Sequence, residues 1–372
     1  MSSKLYIGLM SGTSMDALDC VLIDLSETIN VIDFINVDIP AKLKQDILGL
    51  CQPDGVNQIK KLGETDIELG KFFASAVISI LEKNQINSSQ IQAIGSHGQT
   101  VRHQPPGQNN QAFTIQIADP NNIAALTGIT TVADFRRKDM ALGGQGAPLL
   151  PVFHQYIFNN NETDRVIVNI GGIANITLLR KDDSQIIGFD TGPGNVLLDA
   201  WVQKNLNHNF DKDGMWASSG LSNPELLTFM LGDSYFSSPS PKSTGREYFN
   251  SVWIEKLLAD FAKYISPQDV QATLVDLTAI SIAQSIKDLI ETGEVIICGG
   301  GTKNTKLIQS LATQLESFKV STSNDYGIDS DALEAIAFAW FANKTLDRQA
   351  LDLTSITGSS RPHVMGGIYY PD

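Results

Sequence analysis

The stretch YIGLMSGTSMDALDCVLIDL, residues 6–25, reads as strand, small-residue turn, strand. An apolar run ends at Met10, glycine and hydroxyl residues follow, and a second apolar run begins beyond Asp16. A β-hairpin turning on small residues accounts for that order. The stretch RVIVNIGGIANITLLR, residues 165–180, has the same outline around Gly171 and Gly172. No residue-by-residue repeat links the two stretches. They read as parallel openings of two domains. The length of 372 residues agrees, because single hydrophobic cores stop growing beyond roughly 250–300 residues.

Other signals extend the pattern. Residues 64–83 set Leu69, Phe72, Phe73, Ala76, Val77, Ile80 and Leu81 at helical spacing, which predicts an amphipathic helix packed on a sheet. QAIGSHGQT, residues 92–100, predicts a short strand ending in a polar loop. VIICGGG, residues 295–301, predicts a buried strand running into a glycine loop. SDALEAIAFAWFANKTL, residues 330–346, predicts a helix with Leu333, Ile336, Ala337, Trp340 and Phe341 on one face. Strands alternating with helices predict α/β layers with a mixed or parallel sheet, and ligands at the carboxyl ends of strands.

Composition excludes several classes. The net charge of −14, from 41 acidic and 27 basic residues, disfavours nucleic-acid binding, which needs clustered Lys and Arg. The three cysteines, Cys20, Cys51 and Cys298, have neither disulfide-framework nor zinc spacing. The opening MSSKLYIGLM lacks a signal peptide's apolar region. No apolar stretch reaches the roughly 20 residues that span a bilayer. The expectation is a protein of the reducing cytoplasm.

Several loops carry chemistry. SGTSMD, residues 11–16, can expose backbone N–H groups to phosphate oxygens, or be an ordinary hairpin turn. Asp16 can reach Mg²⁺ through water. The Gly171–Gly172 turn can grip phosphates or simply turn a hairpin. Asp190, in GFDTGPGN (residues 188–195), suits a general base at a strand end. It also suits a helix N-cap, although Asn195 stands closer to the helix start. Three consecutive glycines, Gly299 to Gly301, suit close approach of a flat ligand. Glu334 has capping-box spacing from Asp331. His97 and His103 lack a third partner for a metal site. Arg102, Arg136 and Arg137 can bind a carboxylate or phosphate, or be solvated surface charges.

Six motifs, MSGTSMDALD, GSHGQTVRH, DFRRKDMALGGQGAPL, NIGGIANIT, GFDTGPGNVLLD and CGGGTKN, occur in that order over nearly the whole chain. Together they resemble the anhydro-N-acetylmuramic acid kinases. The resemblance implies a two-domain actin-like ATPase (ribonuclease H-like) fold of class α/β with a central nucleotide cleft. Its domains are expected at 1–135 plus 355–372, and at 136–354. It implies ATP and Mg²⁺ as cofactors and a homodimer. The implied reaction opens a 1,6-anhydro sugar of peptidoglycan turnover with water and transfers the γ-phosphoryl of ATP to O6.

By position, the resemblance makes Asp190 the catalytic base and Glu334 a second carboxylate near the sugar. It assigns ATP phosphates to Gly12, Thr13, Ser14, Met15, Asp16, Ala17, Leu18 and Asp19, with Gly171 and Gly172 as a second phosphate turn. It assigns the nucleoside to Gly299, Gly300, Gly301 and Asn304, and the sugar to Gln99, Thr100 and Arg136. One departure is visible: Ala17 stands where the family commonly has glycine. A positive φ there would strain alanine. Two rival readings follow the same residues. One is an ATP-independent hydrolase using Asp190 and Glu334. The other is a nucleotide-dependent switch or chaperone-like protein on the same superfold.

Overall fold

The computed structural model describes all residues except 1–2, 13–14, 53–55, 108–110, 183–185, 241 and 247. The chain divides into two compact units, Met1–Phe153 with Ala332–Asp372, and His154–Asp331.

The first unit holds β1 (Leu5–Met10), β2 (Ala17–Asp24), β3 (Asn30–Asp38), β4 (Ile91–Ser96), β5 (Gln99–Gln104), β6 (Phe113–Ile117) and β7 (Thr131–Ala133). The second holds β8 (Arg165–Ile170), β9 (Ile173–Leu179), β10 (Ile186–Pro193), β11 (Gly293–Cys298) and β12 (Phe318–Thr322). The last strand, β13 (Gly367–Tyr369), returns to the first sheet.

Both sheets share one plan. In the first, the order is β13-β7-β4-β1-β2-β3. β1, β2 and β3 form an antiparallel meander, while β4 and β7 continue parallel to β1 on its other side. In the second, the order is β10-β9-β8-β11-β12, with the same antiparallel meander and the same two parallel additions. A three-strand meander followed by two parallel strands beside its first member is the ribonuclease H-like layout. Its occurrence in both units makes the chain a two-domain actin-like α/β protein.

In the first unit, β1 is buried at every position. Its alternating side chains explain this. Leu5, Ile7 and Leu9 join a core with Leu69, Phe73, Val77 and Ile80 of helix Gln58–Asn84. The opposite face meets helix Leu333–Leu346, which packs on β1, β4, β2 and β7. Two glycines seat that helix. Gly8 and Gly95 are register partners on β1 and β4. A β-carbon at Gly8 would stand 1.8 Å from the Ala335 carbonyl oxygen, and one at Gly95 would stand 1.9 Å from that of Phe338. Only glycine lets backbone approach backbone so closely.

That helix explains why the units divide at 153/154 and 331/332, where 135/136 and 354/355 were expected. Its residues bury themselves on the first sheet, and Phe153 stacks near Trp340 with ring centroids 5.5 Å apart. In the second unit, Val166, Val168 and Ile170 of β8 share a core with helices Val196–Leu206 and Pro267–Lys287. Cys20 and Cys298 are buried and form no disulfide. Among the described residues, no helix is long and apolar enough to cross a membrane.

Candidate active site

In the first unit, the turn after β1 is tied to the loop after β4. Buried Ser11 donates its Oγ–H to Gln99 Oε1 (2.6 Å), and Gln99 Nε2 donates to the Thr100 carbonyl (3.2 Å). The Thr100 hydroxyl accepts from Gln116 Nε2 at 3.0 Å. Gln99 and Thr100 therefore stand beside the small-residue turn. The turn closes by Met15 N–H donating to the Gly12 carbonyl (3.2 Å). Met15 takes the left-handed conformation at φ 55° and buries its side chain. Thr13 and Ser14 lie outside the described residues.

Ala17 opens β2 opposite Asp38 in extended backbone. The positive φ falls on Met15, so alanine at position 17 costs no backbone strain there. The Leu18 side chain is fully buried in the core, so only its backbone faces the turn. Asp19 accepts from Asn36 Nδ2 at 2.7 Å. Asp16 is exposed and ion-paired with Lys44.

Arg136 is fixed by two bonds. Its Nε donates to His97 Nε2 (3.0 Å) and its Nη1 to the Gly146 carbonyl (2.8 Å). His97 Nδ1 faces the Gly98 carbonyl at 2.9 Å. Nδ1 therefore carries the proton and Nε2 accepts. Burial, and then the neighbouring guanidinium, hold the His97 imidazole far below its ordinary value, so it stays neutral. Burial also brings the Arg136 guanidinium down to about 10, while the Glu334 and Asp139 carboxylates oppose that shift. Arg136 remains charged at neutral pH, and it feels Glu334.

Glu334 lies in the first turn of helix Leu333–Leu346. The N-cap is Ala332, without a side-chain cap bond, so the capping box expected from Asp331 does not form. Asp331 instead pairs with Lys303. The other two arginines are spent locally. Arg102 donates to the Cys51 and Gln52 carbonyls, and Arg137 pairs with Asp134 at 2.6 Å. His103 faces the Thr114 hydroxyl at 3.1 Å.

In the second unit, Asp190 sits on β10 opposite Asn175, beside an irregularity in the ladder before Gly192. Its Oδ2 accepts from the Thr244 N–H (3.0 Å), its N–H donates to the Lys242 carbonyl (3.0 Å), and its carbonyl accepts from the Tyr235 hydroxyl (2.8 Å). Burial, and secondarily the Asp190 charge, push the Tyr235 phenol up, so it stays a proton donor. Asn195 holds the N-cap position of helix Val196–Leu206 without capping it. Its Nδ2 donates instead to the Ile170 and Gly171 carbonyls at 3.3 and 3.1 Å.

Gly171 and Gly172 link β8 to β9. Their carbonyls accept from the N–H groups of Gly194, Asn195 and Val196 at 2.9 to 3.0 Å. A β-carbon on Gly194 would stand 2.4 Å from the Gly171 oxygen. The turn is therefore locked onto the exit of β10, three residues beyond Asp190.

The three later glycines differ in purpose. Gly299 has φ 82° and ψ 175°, a region essentially restricted to glycine. β-Carbons at Gly299 and Gly301 would collide with Asn169 and Ile170 at 2.4 and 2.3 Å. These two let the loop pack on the end of β8. A β-carbon at Gly300 would meet nothing, and Gly300 lines a cavity of about 440 Å³ with Asn195, Leu198, Phe210, Lys303 and Asn304. That volume suits a nucleoside-sized ligand. Asn304 also caps helix Thr305–Gln314, its Oδ1 accepting from the Leu307 N–H at 3.1 Å.

Sequence reasoning passed over Phe210, Thr244 and Arg246. KSTGR, residues 242–246, is a run of basic and hydroxyl residues that reads as an ordinary polar loop. The Asp16 carboxylate, expected to reach Mg²⁺ through water, pairs with Lys44 while remaining exposed. Among the described residues, no three His, Cys, Asp or Glu side chains cluster as a metal site.

The anhydro-N-acetylmuramic acid kinase family matches residues 4–371. The anhydro-N-acetylmuramic acid kinase of Coxiella burnetii (strain RSA 493 / Nine Mile phase I) is 48% identical over 372 residues, covering 100% of this chain and 98% of the relative. That of Shewanella frigidimarina is 50% identical over 363 residues, covering 97% of each. Among solved structures, the activator of the 2-hydroxyisocaproyl-CoA dehydratase from Clostridium difficile gives a TM-score of 0.46 at 13% identity, covering 91% of this chain and 94% of that one. That similarity is too low to bear on function. With nearly its whole length matched in sequence, the chain belongs to the anhydro-N-acetylmuramic acid kinase family.

Proposed function

We propose that this kinase hydrolytically opens the ring of 1,6-anhydro-N-acetylmuramic acid and phosphorylates O6, giving N-acetylmuramic acid 6-phosphate and ADP for cell-wall recycling. The water oxygen bonds to C1 as the C1–O6 bond breaks, and the water's proton passes to Asp190. The freed O6 bonds to the γ-phosphorus as its bond to the ADP oxygen breaks. An inverting glycosidase needs a second carboxyl to protonate the leaving oxygen. Here the phosphorus captures that oxygen, so one base suffices.

The observation that carries this reading is the setting of Asp190. A backbone N–H orients its carboxylate, and its strand runs on into the segment that locks the Gly171–Gly172 turn. A positioned base next to a tight glycine turn suits water activation beside phosphate. The cavity at Gly300 supports a place for the nucleoside. Glu334 and Arg136 are the proposed groups for the sugar. Arg136 offers Nη2, which has no protein partner among the described residues, to the lactyl carboxylate. Gly12, Met15 and Asp16 are proposed beside the phosphates. Mg²⁺ arriving with ATP would neutralise phosphate charge. The homodimer and the cytoplasmic location belong to the proposal on the resemblance alone.

A switch or chaperone-like role on the same superfold is not favoured, because a kinase family matches nearly the whole chain. An ATP-independent hydrolase would leave the cavity at Gly300 without an occupant. The test is Asp190→Asn. Turnover should fall on the order of 10²–10⁴-fold, the range for a general base, with ATP affinity by calorimetry retained. Near-normal turnover would remove Asp190 from the role.

A further inference from the structure

The segment 242–246 does more than close a loop. It is bolted to β10 at both ends of Asp190: the Lys242 carbonyl accepts the Asp190 N–H, and the Thr244 N–H donates to the Asp190 carboxylate, each at 3.0 Å. Lys242 spends its ammonium inward, donating to the Tyr235 and Phe236 carbonyls at 2.9 and 3.2 Å. Downstream, the Gly245 carbonyl accepts from the Tyr248 and Phe249 N–H groups. A segment held at so many points sets where its next side chain lands.

That side chain is Arg246. A β-carbon at Gly172 would stand 3.5 Å from Arg246 Nη2 and 3.7 Å from Nε. The guanidinium thus lies against the face of the glycine turn. Among the described residues it has no ion pair and no hydrogen-bond partner for its side chain. The two other arginines of its unit are each matched by a carboxylate, Arg165 by Glu294 and Arg180 by Asp164. A guanidinium held over a glycine turn without an acid offers its N–H donors to an anion from outside.

We propose that Arg246 is a catalytic residue that contacts the transferred γ-phosphoryl group. The inference rests on the function proposed above, and it specifies which phosphate is involved. The segment that aims Arg246 also orients Asp190, and Asp190 must face the attacked sugar. The nucleotide end nearest both is therefore the terminal one. As O6 bonds to phosphorus and the bond to ADP breaks, negative charge spreads over the three other phosphoryl oxygens. A fixed guanidinium stabilises that charge more than it stabilises ground-state ATP.

The test compares Arg246→Gln and Arg246→Lys with the wild type. Because Arg246 is exposed, melting temperatures should match, which removes misfolding as an explanation. The expected result is a kcat loss of about 10²–10³-fold for Gln, with KM for ATP changed far less and partial recovery in Lys. By calorimetry, ADP affinity should be unchanged, whereas a non-hydrolysable ATP analogue should bind more weakly to Arg246→Gln. Equal loss for ADP and the analogue would place Arg246 on the inner phosphates and overturn the assignment. So would an unchanged kcat. The calorimetry needs no sugar, so it tests Arg246 even if the wild type fails to phosphorylate the anhydro sugar.

Discussion

Gly8→Ala tests how the fold delivers Glu334. The added β-carbon would lie 1.8 Å from the Ala335 oxygen and 2.8 Å from its carbonyl carbon. Non-bonded heavy atoms are comfortable near 3.5 Å, so helix Leu333–Leu346 must withdraw by roughly 1.5 Å or the strand must buckle. Overpacking costs about 1–3 kcal/mol. Both obstacles here are backbone, which sets the expectation near the upper end, about 3 kcal/mol. For a unit of this size each kcal/mol lowers the melting temperature by roughly 2–4 °C, so a fall of about 6–12 °C is expected. Glu334 is covalently next to Ala335 and moves with it. A displacement of about 1 Å at a reacting group can cost on the order of 10²-fold in rate. Calorimetry and steady-state kinetics on the same preparation measure both effects. Gly12→Ala is the stability control, because its β-carbon meets nothing. If Gly8→Ala melts and turns over like the wild type, the close helix-to-sheet seat is not what holds Glu334.

The glycine loop should separate structure from ligand contact. Gly299→Ala should lower the melting temperature by several degrees through its strained φ and its clash with Asn169, whereas Gly300→Ala should melt normally and raise KM for ATP; the reverse pattern would exchange their roles. His154 should make the protein acid-sensitive. Burial holds its imidazole down at about 3, so below pH ~6.5 the unfolded chain takes up a proton that the folded chain refuses, and stability falls with pH by about 1.4 kcal/mol per unit until that folded value is reached. His154→Phe should flatten the fall in melting temperature between about pH 6.5 and 4, and an unchanged slope would assign the acid sensitivity elsewhere.

Local patterning carried much of the fold. Residues 6–25 and 165–180 do form the β1–β2 and β8–β9 hairpins. The helix expected over 64–83 runs over Gln58–Asn84. These segments bury one face or both, and burial writes itself into apolar spacing. The domain limits were less legible. They depend on which sheet helix Leu333–Leu346 lies upon, and that is decided by Gly8 and Gly95, more than 200 residues away in sequence.

The site was legible where chemistry needs unusual residues, and illegible where it uses ordinary ones. Glycine runs and a loop acid announce themselves. The purposes of individual glycines do not: Gly299 and Gly301 answer to the side chain of Ile170 and the end of β8, while Gly300 faces a cavity. Leu18 lay within a plausible phosphate segment, yet strand alternation turns it into the core. Asn195 looked like a cap and became a clamp on two carbonyls. Arg246 carries no local signature, because its meaning comes from Gly172 on another hairpin.

The most direct measurement is a single-turnover reaction in ¹⁸O-enriched water, with Mg·ATP and 1,6-anhydro-N-acetylmuramic acid, read by mass spectrometry. The account predicts a 6-phosphosugar carrying ¹⁸O at C1 and no label in its phosphoryl group, with one ADP per sugar. A phosphosugar without label at C1, or ring opening without ADP, would contradict the claim that water opens the bridge while ATP captures the departing oxygen.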